Sequence, residues 1–180
     1  MVTKSLGGKL IKIRAFSQRD LRNVKKFQNF INSLISEDAK ILLNSKKSKK
    51  EERAWLKDKI KNVARKKEVA LTAEHNRKVI ANTGIDLDLF RKSHIGNFGI
   101  SIREGYRGIG LGKYLMAEII KLAKKELKPR PKIIRLSVFS NNKPAISLYR
   151  KMGFRKVAVI PKQYQYKGRF VDEIIMLLDL

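Results

Sequence analysis

The run Ile100-Ser-Ile-Arg-Glu-Gly-Tyr-Arg107-Gly-Ile-Gly110-Leu-Gly112 decides how the rest of the chain is read. A β-like stretch, Phe98 to Ile102, meets a set of glycines, and from Gly110 to Leu127 apolar residues recur at helical spacing. A strand therefore passes through a tight turn straight into a helix. Such a junction binds anions. Glycines let the backbone approach closely, successive N–H groups point outward, and the helix N-terminus adds partial positive charge, so a diphosphate fits there. Arg107 brings a full charge to the same place. The spacing of Gly108, Gly110 and Gly112 is G-x-G-x-G, which is not the G-x-G-x-x-G of dinucleotide-binding folds, and no Gly-Lys-Ser/Thr follows as a P-loop requires.

Upstream of this junction, Leu10 to Phe16 reads as a strand, and Ser17 with Asp20 reads as a capping box opening a helix. Leu21, Val24, Phe27, Ile31, Leu34 and Ile35 give that helix an apolar face. Glu68 to Thr72 and Lys78 to Leu89 form a hairpin about the turn Glu74-His75-Asn76-Arg77. Downstream, Pro129 to Pro131 stops the long helix, and Lys132 to Phe139 is a β-branched, apolar strand. Asn142 and Pro144 open a further helix, on which Ala145, Leu148, Tyr149 and Met152 share a face and which Gly153 closes. Two last strands, Phe154 to Pro161 and Phe170 to Leu178, flank a turn at Lys167-Gly168. Helices alternating with strands, then a terminal hairpin, predict an α/β fold with a mixed sheet.

Composition bounds the function. At 180 residues, with 43% hydrophobic residues, one domain with a substantial core is expected. There is no cysteine, which excludes disulfides, thiolate metal sites and a cysteine nucleophile, and two histidines, His75 and His94, are too few for a histidine metal site. No metal is expected. No apolar run is long enough for a membrane span, and Met1 to Leu10 lacks the apolar core of a signal peptide, so a cytoplasmic location with no membrane partner is expected. Forty-two Lys and Arg against 16 Asp and Glu leave a net charge of +26, which predicts attraction to polyanions such as RNA or the ribosome. Eleven basic and three acidic residues fall between Lys46 and Lys67, where Leu56, Ile60 and Val63 supply an apolar stripe. That pattern is a basic amphipathic helix, either a polyanion-binding surface or a solvated face over ordinary core.

Arg107-x-x-Gly110-x-Gly112, followed by Asn142-x-x-Ala145-x-x-x-Tyr149-x-x-x-Gly153-Phe154, resembles the paired signature of GNAT acetyltransferases. The likeness covers about Phe98 to Leu180, and Gly168-x-x-x-Asp172-x-x-x-Met176 resembles the amino-acid and ribosomal-protein N-acetyltransferase branches. It implies a single-domain α/β fold with a mixed, mostly antiparallel sheet of about seven strands flanked by about four helices. Residues 10–67 would then form the acceptor side, 98–154 the acetyl-CoA-binding core and 154–180 the terminal hairpin. By this resemblance the amides of Arg107, Gly108, Ile109, Gly110, Leu111 and Gly112 hold the coenzyme A diphosphate. The strand Ile100 to Ile102 pairs with the pantetheine arm and polarises the thioester carbonyl. Asn142 contacts pantetheine, and Tyr149 faces the sulfur as the acid that protonates the leaving thiolate. From spacing alone, Tyr149 reads as a core aromatic and Asn142 as a helix cap.

Many members of this family carry a glutamate on the strand before the glycine turn, and the aligned position here is Asn97, which cannot accept a proton. Asp86, Asp88, His94 or Glu104 must replace it, or no base exists. Without a strong base, an α-amine of pKa about 7.7 is a better acceptor than a lysine side chain near about 10.4. Protein N-termini or amino acids are therefore expected as acceptors, attacked directly in a ternary complex because no partnered nucleophile is evident. Two readings from other classes stand beside this one: an RNA- or ribosome-binding module on the same fold, and an acyl-CoA sensor without catalysis.

Overall fold

The fold is described for residues 1–180 in a computed structural model. Its strands, in chain order, are β1 (Val2–Leu6), β2 (Lys9–Ala15), β3 (Glu68–His75), β4 (Lys78–Leu87), β5 (Ile95–Ile102), β6 (Ile133–Phe139), β7 (Arg155–Tyr166) and β8 (Arg169–Asp179). Its helices are α1 (Val24–Ser36), α2 (Lys49–Ala64), α3 (Leu111–Glu126) and α4 (Lys143–Lys151). All eight strands join in one sheet of order β1-β2-β3-β4-β5-β6-β8-β7. The β5/β6 pair alone is parallel, and the other neighbours are antiparallel. No helix is long and apolar enough to cross a membrane.

Two layers of helices cover the sheet. On one face, α3 and α4 bury Leu111, Leu115, Met116, Ile119, Ile146 and Tyr149 against Ile80, Ile85, Phe98 and Ile134 in a core of 23 buried residues. On the other face, α1 and α2 bury Phe27, Phe30, Leu34, Leu56 and Ile60 against Phe16, Ala70 and Val79 in a core of 9. Period-two alternation sends Val69 and Ala70, adjacent in β3, into different cores, while the register shift between Ala73 and Glu74 interrupts it in β4, where Ile80 and Ala81 enter the same core.

The sheet has eight strands where the sequence implies about seven. The additional strand, Val2–Leu6, has no buried residue, so it lacks the apolar alternation that marks a strand in sequence. Its pairing with β2 follows from Gly7 and Gly8, which take φ of +53° and +71° in the connecting turn. The helix expected from Ser17 begins as a short 3-10 turn, Gln18–Arg22, with α1 starting at Val24. Ser17 N–H donates to Asp20 at 2.8 Å, and Arg14 of β2 donates twice to the same carboxylate, which draws this turn onto the end of β2. The terminal hairpin is longer than its sequence suggests. Strand β7 continues past Pro161, because it is an edge strand where the missing N–H leaves no partner unsatisfied, and its register shifts between Ile160 and Tyr164.

Candidate functional site

Residues 103–110 carry the chain from β5 into α3. Gly108 and Gly110 take φ of +77° and +85°, a left-handed region that strains any residue with a side chain, and Gly110 caps the helix. The turn leaves the amides of Arg107 through Lys113 without a protein acceptor, and the first helical bond runs from Tyr114 N–H to Gly110 C=O at 3.1 Å. Seven consecutive donors thus stand open at the positive end of a 16-residue helix. The β1/β2 turn buttresses this loop: a Cβ at Gly7 would lie 2.7 Å from Ile109 Cγ2. Arg107 clamps it from the other side, donating through Nε to Ile102 C=O at 2.8 Å and pairing its guanidinium closely with Glu37 at the end of α1. Glu37 also accepts from the Glu104 N–H at 3.1 Å.

Behind the turn the sheet opens. Strands β5 and β6 pair only at Ile95, Gly96 and Asn97 against Ile133, Ile134 and Arg135, although β5 runs on to Ile102 and β6 to Phe139. From Phe98 onward β5 is paired on its β4 side and open on the other, so Phe98 to Ile102 present a free strand edge to the wedge. An extended, amide-containing chain can add to such an edge by strand-like hydrogen bonds.

The two faces of the sheet offer different chemistry at this wedge. On the α3/α4 face, Tyr149 packs edge-on against Phe98 at 6.1 Å and tilted against Phe154 at 6.1 Å. It is 8% exposed, its hydroxyl has no partner in the protein, and burial pushes its pKa up to about 12. Asn142 sits at the start of α4 with its side chain making no capping bond.

On the α1/α2 face, cross-strand register lines up Glu68, Asp86, Asn97 and Arg135 from four adjacent strands. Arg135 donates to Asn97 Oδ1 at 2.8 Å and to Asp88 at 3.2 Å, and Asn97 donates to Asp88 at 2.9 Å. Next to this row Gly84 and Gly99 face each other and floor a cavity of about 200 Å³, walled by Phe16, Trp55, Lys59, Glu68, Asn82, Asp86, Ile100 and Ser101. Lys59 pairs closely with Glu68. Desolvation raises the pKa of Glu68, with the Lys59 charge opposing, and desolvation also raises Asp86, with the hydrogen bond from Asn97 opposing. The negative charge of Asp86 adds a smaller upward push on Glu68, and that of Asp88 does the same to Asp86. Asn82 Oδ1 is buried in the same wall with no partner.

The family model described as the acetyltransferase (GNAT) family matches residues 32–154, which include the open turn and every cavity-lining residue but Phe16. The chain belongs to that family. The L-amino acid N-acetyltransferase AaaT of Escherichia coli is 35% identical over 48% of this chain and 52% of its own length. An N-alpha-acetyltransferase of Sulfurisphaera tokodaii is 37% identical over 42% of this chain and 43% of its own. The matched segment thus spans about half the length of these curated relatives. Among solved structures, a GNAT-family acetyltransferase from Streptococcus pneumoniae superposes with a TM-score of 0.81 at 23% identity, covering 94% of this chain and 99% of that one.

Of the residues expected at the cofactor, eight lie along β5, the turn and the start of α3, while Asn142 precedes α4 and Tyr149 lies on it. Ile100 and Ile102 are on the free edge of β5, Arg107, Gly108, Ile109 and Gly110 are in the turn, and Leu111 and Gly112 begin α3. The space beside Gly112 is tight, since a Cβ there would meet Leu148 Cδ2 of α4 at 3.2 Å. The four base candidates separate. Asp86 lines the cavity, Asp88 is held by Asn97 and Arg135, His94 is exposed at the opposite end of β5, and Glu104 lies in the turn beside Glu37. Glu68 and Asn82 join the site without having been expected there. Glu68 is only 6% exposed at the start of an apolar strand, a charged residue in an unexpectedly buried position, but its partner Lys59 is on α2 and only the fold brings them together.

Proposed function

We propose that this domain transfers acetyl from acetyl-CoA to a primary amine, and that the favoured acceptor is the α-amine of an amino acid or of a protein N-terminus. The observation that carries the reading is the acid-lined cavity against Ile100, set across the sheet from Tyr149 where β5 and β6 part. The bound thioester supplies an electrophilic carbonyl and a leaving thiolate. Amides from Arg107 to Gly112 hold the diphosphate, and the free edge of β5 aligns the pantetheine arm and donates to the carbonyl oxygen as charge develops there. Asn142, with its side chain uncommitted, contacts the same arm.

Asp86 takes the proton from the attacking amine. Its raised pKa makes it a stronger base than an ordinary aspartate, and Asn82 Oδ1 receives a second N–H and orients the nitrogen. Glu68, paired with Lys59, offsets the ammonium charge that would otherwise weaken Asp86 as a base. As the C–S bond breaks, Tyr149 gives its proton to the sulfur. A phenol pushed up to about 12 stays protonated through the working range and so remains a donor.

The case for an α-amine rests on two supports. At pH 7 about one α-amine in six is neutral, against roughly one lysine side chain in 2,500. Two relatives carry names that specify amino-acid and N-alpha acetylation. The test is thiol release from acetyl-CoA with peptides bearing only a free α-amine and peptides bearing only a free lysine, from pH 6 to 10. The α-amine peptides should dominate at pH 7, with rates levelling near the amine pKa. Equal or faster lysine acetylation at pH 7 would refute the acceptor assignment, and no thiol release with any amine would refute the activity.

A further inference from the structure

A dense group of basic side chains lies at the end of the sheet remote from the glycine turn. There the C-terminal ends of two helices on opposite faces come together: Lys128 N–H donates to Lys66 C=O at 3.0 Å, and Lys67 Nζ donates to Lys128 C=O at 2.9 Å. The loop between β4 and β5 joins them, with Leu87 N–H donating to Lys67 C=O and Lys132 N–H to His94 C=O. Helix α2 and its exit bring Arg65, Lys66 and Lys67, helix α3 and its exit bring Lys124, Lys125 and Lys128, and all six are exposed. The link into β6 adds Arg130 and Lys132, and the β4/β5 loop adds Arg91 and Lys92, also exposed. Of the acids at or beside this end, Glu126 pairs with Lys125, Asp88 with Arg135, Asp179 with Arg155 and Glu68 with Lys59, which leaves Asp86, next to Leu87, as a carboxylate without an ion pair. Lysines at helix ends offset the partial negative charge of the last carbonyls, but two helix ends together amount to about one unit of charge, far less than is gathered here.

This end does not serve the cofactor. Strand β5 starts here at Ile95 and reaches the open turn only after Ile102, a separation of roughly 25 Å along an extended strand. The loop also projects two apolar side chains among the charges, Leu89 at 70% exposure and Phe90 at 89%. Phe90 takes φ of +53°, a region a bulky residue rarely occupies, and Arg91 and Lys92 follow it directly.

We propose that this end of the sheet is a docking surface for single-stranded or looped RNA, with the basic side chains following the phosphates and Phe90 stacking on a base. Charge alone fits any polyanion, whereas an isolated exposed ring within a basic field is the arrangement that holds unpaired bases. Two apolar side chains on one short loop are too few to carry a membrane-inserting face. The acetyl-transfer reading is independent of this surface, and neither depends on the other.

The experiment is fluorescence anisotropy with a mixed-sequence, single-stranded RNA of about a dozen nucleotides, titrated across salt. Wild type should bind, with affinity falling steeply as salt rises. Lys124→Gln, Lys125→Gln, Arg130→Gln and Lys132→Gln combined should weaken binding at least about tenfold and flatten the log–log salt slope by about 0.7 for each phosphate that is no longer neutralised. Phe90→Ala should weaken binding about tenfold while leaving the salt slope unchanged. Lys49→Gln, Lys50→Gln and Lys57→Gln, on the outer face of α2 away from this end, should change affinity less than about twofold. Unchanged coenzyme A affinity and melting temperature would confirm that each variant is folded. The proposal is overturned if wild type does not bind at low salt, if the α2 variant is weakened more than the sheet-end variant, or if Phe90→Ala binds as wild type. Tighter binding to anionic phospholipid vesicles than to RNA would overturn it as well.

Discussion

The two faces of the sheet are built to different standards. The α3/α4 face carries 23 buried residues in a continuous core, against which Tyr149 and the helix behind the glycine turn are fixed. The α1/α2 face carries 9, and its core stops short of the row Glu68, Asp86, Asn97 and Arg135, where glycines and carboxylates line a cavity instead. A rigid face suits a ligand that is the same in every cycle. A face with carboxylates around open volume, one of them the buried Glu68, gives up stability for the ability to take a proton.

The sharpest way to break the rigid face is Gly110→Glu. It adds a side chain at φ +85° and a negative charge in front of seven free amides, so coenzyme A binding should vanish from calorimetry, taking turnover with it. Unchanged affinity would remove the diphosphate from this turn. On the open face, Asp86→Asn should lower turnover about 10³-fold with little change in coenzyme A affinity, because only the proton acceptor is lost. Below the raised pKa of Asp86 the wild-type rate should fall as the carboxyl is protonated, and the variant should lose that acid limb from its pH profile.

Tyr149→Phe keeps the ring against Phe98 and Phe154 and removes only the hydroxyl. Turnover should fall about 10²-fold with the melting temperature unchanged, whereas a loss of stability with turnover intact would make Tyr149 a core aromatic and nothing more. The smallest effect concerns Glu52, buried on the α2 stripe, where desolvation raises its pKa to about 7 against the weaker pull of Lys47. A carboxyl raised on folding holds its proton in the native state between about 4.5 and about 7, so stability is greatest below that window and declines as pH rises through it. Glu52→Gln should flatten that decline and raise the melting temperature at pH 8 by on the order of 3 °C, with no change at pH 4.

Much of the rigid face is legible in sequence because its signals are local. Glycines before an apolar helical period specify a strand-turn-helix wherever they occur, and the Asn142 to Phe154 segment keeps its capping residues, Pro144 and Gly153, and its apolar face within one short helix. The open face is not legible in the same way, because Glu68, Asp86 and Asn97 are adjacent only through strand register, and Lys59 reaches Glu68 from a helix on top. The side chain of Asn97 shows by itself that it cannot act as a base, but its role in fixing Asp88 and Arg135 cannot be seen from one strand. Arg107 reads in sequence as a free charge, and its pairing with Glu37 joins residues that are 70 apart along the chain.

The sequence by itself determined the alternation of helix and strand, the anion-binding turn and the excess of basic charge, since each depends on neighbouring residues and their backbone preferences. Tertiary structure alone decided where β5 and β6 separate, which carboxylate faces the cavity, and that basic residues from two helix ends and two loops gather at one end of the sheet. The reason is physical: burial, register and electrostatic field depend on distances through space, and those are set only when the chain has packed both faces of its sheet.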